Sequence, residues 1–475
     1  MRTRLEPYRI KAVEPLPITT RPQRERALEE ASWNLFRLPA RLVTIDLLTD
    51  SGMVAMSARQ WGALMQADES YAGAESFYRF EAAVRGITGF PEVIPAHQGR
   101  AAERLLFEAL VQPGDLVPGN THFDTTRANL ERLGARPVDL PTPAALVAAL
   151  DHPFKGNLDL PGLEELLAAS APGSRPPLVL VTITSNSTGG QPVSLDNLRQ
   201  TRRLCDRYGV RLFLDAARFA ENAWLVHERE SEVKGWTPAA IARAFFDLAD
   251  GCLMSAKKDG LVNIGGFVAL RDPVLAERIR AGMVVGEGFP TYGGLAGRDL
   301  EAMAIGLQEA LEPSYLEDRI GQVRSLARQL DAAGVPIVRP PGGHAVYLDS
   351  RAFAPHLDPL DLPGQAIACE LYLHAGVRTT EVGQLMRGRP GAEGRERPVP
   401  VDLVRLAIPR RVYTCCHLDY VAEAVTEVFG APERLQPLDI VEQPAALRHF
   451  RARLRPRRLP AAAQRCEAQV SCPSE

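Results

Sequence analysis

Only five of the 55 basic residues are lysines: Lys11, Lys155, Lys234, Lys257 and Lys258. Arginine has taken the cationic role elsewhere. Lysine can shed its proton and form a Schiff base, and arginine can do neither. Two of the five lysines stand side by side in Met254-Ser255-Ala256-Lys257-Lys258-Asp259-Gly260, an otherwise apolar neighbourhood. An attacking lysine must be neutral, so desolvation or a cationic neighbour helps it. The pair offers both. Its spelling does not choose between the two amines, and a solvated loop pair would read the same way.

Pyridoxal 5′-phosphate (PLP) is the cofactor such an amine would hold, and it needs three further groups. Its pyridine nitrogen needs an acid, because the protonated ring is the electron sink. Asp215, closing the apolar run Val210-Arg211-Leu212-Phe213-Leu214, suits that role, or it caps the next helix. Its phosphate needs backbone N–H donors at a helix start, with polar side chains nearby. The stretch Ala96-His97-Gln98-Gly99-Arg100-Ala101 follows a strand-like run and opens a helix, and Ser255 adds a hydroxyl. A substrate carboxylate wants an arginine fork. Arg405 sits inside the apolar run Leu403-Val404-Arg405-Leu406-Ala407-Ile408, where it needs either such a ligand or a structural carboxylate.

The elements that must position these groups read as an α/β domain with a mostly parallel sheet. Strands are predicted at 92–95, 177–184, 210–215, 252–255 and 265–270. A helix is predicted at 195–208, closed by Gly209. Asn186, Asp215 and the lysine pair fall at strand ends, where such sheets bind ligands. After about residue 310 the pattern changes to a long helix at 316–333 and strand-like runs at 335–338 and 345–349. The expected organisation is an N-terminal arm joined to the small domain (1–49), a large domain (50–310), a small domain (311–452) and a disordered tail from Arg453.

Composition narrows the class. The chain has 475 residues, is 45% apolar and carries a net charge of −3. That balance speaks against a nucleic-acid partner or a membrane surface. No apolar run is long enough to span a membrane, and the basic start lacks an apolar segment behind it. Seven cysteines, at Cys205, Cys252, Cys369, Cys415, Cys416, Cys466 and Cys472, show no paired metal spacing. A cytoplasmic chain with reduced thiols is expected.

Longer strings carry a resemblance. These are Ile45-Asp46-Leu47-Leu48-Thr49-Asp50-Ser51-Gly52, Thr182-Ile183-Thr184-Ser185-Asn186-Ser187 with Gly189-Gly190-Gln191-Pro192-Val193-Ser194, and Ser255-Ala256-Lys257-Lys258-Asp259. Gly288-Phe289-Pro290-Thr291-Tyr292-Gly293-Gly294-Leu295 and Ile408-Pro409-Arg410-Arg411-Val412-Tyr413-Thr414 add to them. The chain resembles the β-eliminating lyases, from about Glu6 to Phe450. The resemblance implies an aspartate aminotransferase-like, fold type I PLP enzyme acting on an amino acid, usually a homotetramer. It implies that PLP attaches to Lys258, that Asp215 partners the pyridine nitrogen and that Arg218 lies beside the cofactor. Gln98, Gly99, Arg100 and Ser255 match phosphate contacts, and Phe123 matches the residue stacked on the ring. Asn186 and Arg405 match the carboxylate holders. A monovalent cation, usually potassium, is implied at Gly52, Glu69 and Asn263.

Members of this family expel indole or phenol. Asp124 and His449 match the indole-releasing form, and Val382 stands where phenol-releasing members place an arginine. An apolar side chain suits indole better than a phenolic oxygen. The short segment Gln112-Pro113-Gly114-Asp115-Leu116-Val117 and Val262-Asn263-Ile264-Gly265-Gly266 instead look like the phenol-releasing form. By the same resemblance Tyr71 and Asp124 are candidate acids for the leaving group, with His449 orienting it. Elimination from S-substituted cysteines and a catalytically dead binding protein are the other readings. Retention of Lys258, Asp215 and Arg405 speaks against the last.

Overall fold

The computed structural model describes residues 6–389 and 395–457. Its centre is a seven-stranded sheet. In chain order the strands are β1 (Glu92–Ala96), β2 (Leu116–Gly119), β3 (Arg136–Asp139), β4 (Leu178–Thr182), β5 (Arg211–Asp215), β6 (Gly251–Ser255) and β7 (Gly266–Leu270). In space they run β1-β7-β6-β5-β4-β2-β3. β3, β2, β4, β5 and β6 pair in parallel, while β7 is antiparallel to both β6 and β1. The sheet is mostly parallel, as its spelling predicts. β4 and β6 are buried along their whole length, which explains their unbroken apolar runs, because helices cover both faces.

Local rules account for the covering helices. Leu195–Tyr208 starts where the Ser194 hydroxyl accepts the Asn197 N–H at 3.1 Å and stops at Gly209, whose φ of 68° is left-handed. Leu195, Leu198, Thr201, Leu204 and Cys205 recur on one face and are buried.

A second body joins both ends of the chain. Ala27–Leu47 packs in one apolar cluster with residues from Val323 to Leu454. Ile45–Asp46 pairs in parallel with Val377–Arg378. A three-stranded antiparallel sheet sets Thr380–Val382 and Ala345–Asp349 on either side of Leu403–Ala407.

Two expectations need correction. Val335–Val338 is no regular strand: Pro336 has no N–H to give a ladder, and Ile337 makes one isolated bridge to Leu348. Arg453–Pro456, expected to open a disordered tail, pairs antiparallel with Leu438–Glu442, where Leu454 buries its side chain. The rest of that tail, with Cys466 and Cys472, lies outside the described residues.

Candidate active site

The predicted residues meet along one edge of the sheet, because β1, β4, β5 and β6 end on the same side. Gln98 follows β1, Asn186 follows β4, Asp215 ends β5, and Lys258 lies in the turn after β6. The structure separates the two lysines. Lys257 Nζ donates to Gln98 Oε1 at 3.2 Å. Its pKa is lowered by burial and by the charge of Arg100. Lys258 lies near enough to Asp215 for its charge to favour the ionised carboxylate. Burial, reinforced by the Arg218 charge, brings its pKa down to about 8 against the pull of Asp50, Asp215 and Glu103.

Asp215 is 8% exposed and accepts the Ala217 N–H at 3.2 Å. Burial raises its pKa, while Lys258, the Ala217 N–H and Arg218 favour its charged form. Beside it, Gly99 opens the helix Gly99–Leu110 against Ser255. A Cβ on Gly99 would lie 2.5 Å from the Ser255 Cβ. Gln98 makes no side-chain cap, so the first turn keeps donors for an anion. Arg100 is exposed, and half-buried Phe123 precedes the helix Asp124–Arg132.

Asn186 and Arg405 form a preset pair. Asn186 Oδ1 accepts from Arg405 Nη1 at 3.0 Å and from the Tyr347 hydroxyl at 3.0 Å, and lies 3.1 Å from His344 Nε2. Burial holds His344 well below its ordinary pKa, so the ring is neutral. Arg405 Nη2 donates to the Leu48 carbonyl at 3.0 Å. Asn186 Nδ2 and Arg405 Nε are buried with no partner among the described residues. Two orphan donors at one place fit a carboxylate.

At the other end of the site, His449 Nε2 lies 2.9 Å from Asp124 Oδ2, although their sequence positions are far apart; the approach is an ion-pair distance without hydrogen-bond geometry, and both ring nitrogens are buried with no hydrogen-bond partner among the described residues. Val382 is 1% exposed and faces Leu403 across the small sheet. Tyr71 is not brought into this group. It is 72% exposed and packs on the rings of Phe289 and Tyr292, 5.6 and 5.4 Å away. The three cation candidates also divide. Gly52 and Asn263 touch, with Asn263 Nδ2 donating to the Gly52 carbonyl at 2.9 Å. Glu69 stands apart, accepting the Gly297 and Arg298 N–H groups at 2.7 and 3.2 Å.

A buried charge network went unread in the sequence. Arg218 donates to both oxygens of Asp50, at 3.1 and 2.8 Å. Arg410 reaches Asp50, Glu221 and Asp259 at 2.9, 2.7 and 2.8 Å, and Arg319 reaches Glu221 at 2.9 Å. Three guanidinium groups thus balance three carboxylates out of water. Asp259 directly follows Lys258, and Arg218 stands three residues after Asp215, so the network braces both. Asp50 and Arg410 lie within the quoted strings, but no spacing announces that they meet. Glu103 is a second omission: its carboxyl is buried behind Asp215, accepts from Thr126 at 2.6 Å and is pushed up to about 7, mainly by burial.

The chain is similar to known proteins along most of its length. The β-eliminating lyase family model matches residues 46–424. A tryptophanase of Hyphomonas neptunium is 54% identical over 95% of this chain and 99% of its own length. One from Salinibacter ruber is 53% identical over 96% of each chain. A tyrosine phenol-lyase of Symbiobacterium is 49% identical over 95% of this chain and 98% of its own length. Among solved structures, the serine palmitoyltransferase of Sphingomonas wittichii superposes with a TM-score of 0.56 at 15% identity. It covers 82% of this chain and 88% of that one, a likeness of fold alone.

Proposed function

The chain belongs to the β-eliminating lyases, and from that premise we propose that it splits L-tryptophan into indole, pyruvate and ammonia with PLP as cofactor. The observation that carries the choice of substrate is the contact between Asp124 and His449. It gives the leaving-group end a carboxyl group and an orienting ring, and the position matched to the phenol-binding arginine is the buried, apolar Val382.

The residues present fit PLP. The uncapped turn at Gln98-Gly99-Arg100, with Ser255, suits its phosphate, and buried Asp215 suits its ring nitrogen. When bound, PLP supplies the sink for the electron pair left when a proton departs from the substrate α-carbon. Lys258 Nζ would hold the cofactor and, once the substrate amine has displaced it, would take that proton, which its lowered pKa favours. Asn186 Nδ2 and Arg405 Nε hold the substrate carboxylate. Asp124 and Tyr71 are the candidate donors of the proton to indole C3, with His449 orienting the ring.

We further propose a homotetramer in the cytoplasm that uses potassium. Among the described residues no helix is long and apolar enough to cross a membrane, and five described cysteines are free. Backbone oxygens at Gly52 and Asn263 suit a hard monovalent cation. Glu69 and Tyr71 share the exposed loop between the helices Ala58–Gln66 and Glu75–Thr88. Purified protein with PLP and potassium should release indole from tryptophan in preference to phenol from tyrosine. Phenol as the main product would overturn the substrate choice.

A further inference from the structure

We propose that Arg448 is the positioning residue that sets leaving-group selectivity, by locking His449 to the segment after Val382; this rests on the reading of Asp124 and His449 given above. Arg448 is 5% exposed. Its Nε donates to the Leu385 carbonyl at 2.7 Å, and its Nη2 to the Gln384 carbonyl at 2.6 Å. The Glu396 carboxylate takes both terminal nitrogens, and Gln443 Oε1 accepts from Nη1 at 3.0 Å. Only a planar fork can serve that many acceptors in one place, so a lysine cannot replace it. Gly388 leaves the necessary room, since a Cβ there would lie 2.5 Å from Nη2.

The anchored segment is itself tied to Val382. Glu381 accepts the Leu385 and Met386 N–H groups at 2.9 and 3.0 Å, and Asp402 accepts the Gln384 N–H at 3.2 Å. Force therefore passes from the strand bearing Val382, through residues 384–387, to Arg448 and on to His449. From the opposite side Asn34 Nδ2 donates to the His449 and Ala452 carbonyls at 3.1 and 2.8 Å. Phe36 sets its ring edge-on to His449 at 5.6 Å. The backbone of His449 is held between these two clamps, so its ring meets an aspartate that belongs to the other body of the molecule. Arg448 makes no hydrogen bond to Lys258, Asp215, Asn186 or Arg405 among the described residues. Its influence is confined to the end where the leaving group departs.

The test compares holoenzymes of Arg448→Lys, Arg448→Met and Glu396→Gln with the parent on tryptophan and on S-methyl-L-cysteine, whose small leaving group needs neither Asp124 nor His449. The expected result for the Arg448 variants is a loss in kcat/KM on tryptophan on the order of tenfold to a hundredfold, the cost of a small misplacement. Activity on S-methyl-L-cysteine and the cofactor's visible absorbance stay within about threefold and unshifted, respectively. Glu396→Gln keeps the fold but loses charge, so a smaller loss of the same selectivity decides the matter if the Arg448 variants do not fold. Parallel loss on both substrates, or no loss on either, overturns the proposal. Should the parent release phenol instead of indole, the substrate reading falls, and the same selectivity ratio is then taken on tyrosine.

Discussion

Lys258 owes its reactivity to where β6 ends. The turn removes water from its amine and places Arg218 close by, so its proton leaves near pH 8 instead of the ordinary 10.5. The direction is plain: below about 8 the group is an ammonium, and above it a free amine. In the apoprotein, attachment of an aldehyde to Lys258, trapped with borohydride and read by peptide mass, should rise through about pH 8. A half-point near 10.5 would show that burial does not act on this amine. Leaving-group choice is also a residue-scale matter. Asp124→Thr together with Val382→Arg removes the partner of His449 and puts a cation where an apolar side chain stood. The ratio of indole to phenol released should fall by at least about tenfold, the scale of one altered pocket contact. An unchanged ratio would remove these two positions from the specificity argument.

At the scale of elements, the helix Gly99–Leu110 does two things. Its buried face supports the sheet, and its first turn lies against Ser255 so closely that residue 99 has no space for a side chain. Gly99→Ala must push the turn away from β6. PLP titration of the variant apoprotein should show a Kd raised by about tenfold or more, with the far-ultraviolet spectrum unchanged. Binding at parental affinity would mean that the turn is not the phosphate site. These elements were largely legible in the chain. The helix 195–208 and the strands at 178–182, 211–215 and 266–270 follow local rules of periodicity and capping. Reading failed where a local pattern lacked its partner. Val335–Val338 alternates like a strand, yet Pro336 denies it a ladder. Arg453–Pro456 looks like tail, yet finds Leu438–Glu442 to pair with.

Across the whole molecule, the network of Asp50, Arg218, Glu221, Asp259, Arg319 and Arg410 joins the two bodies beneath the site. Arg410→Leu would leave three buried carboxylates facing two guanidinium groups. Removal of one partner from such a set costs about 3–5 kcal/mol. Urea denaturation of the variant holoprotein should show a loss of that size, and a loss below about 1 kcal/mol would mean that Arg410 does not hold these carboxylates in their buried, charged form.

The order of residues was enough to place Lys258, Asp215, Asn186 and Gln98 at strand ends, because hydrophobic period and turn chemistry act over a few neighbours. It was also enough, through long shared strings, to name the family. It could not tell which charges face which amine, that Arg218 is held by Asp50, that His449 reaches Asp124, or that Tyr71 and Glu69 stand away from the other site residues of their own chain. Those facts depend on contacts between segments far apart in the chain, and only tertiary packing, within the large body and between the two bodies, brings such segments together.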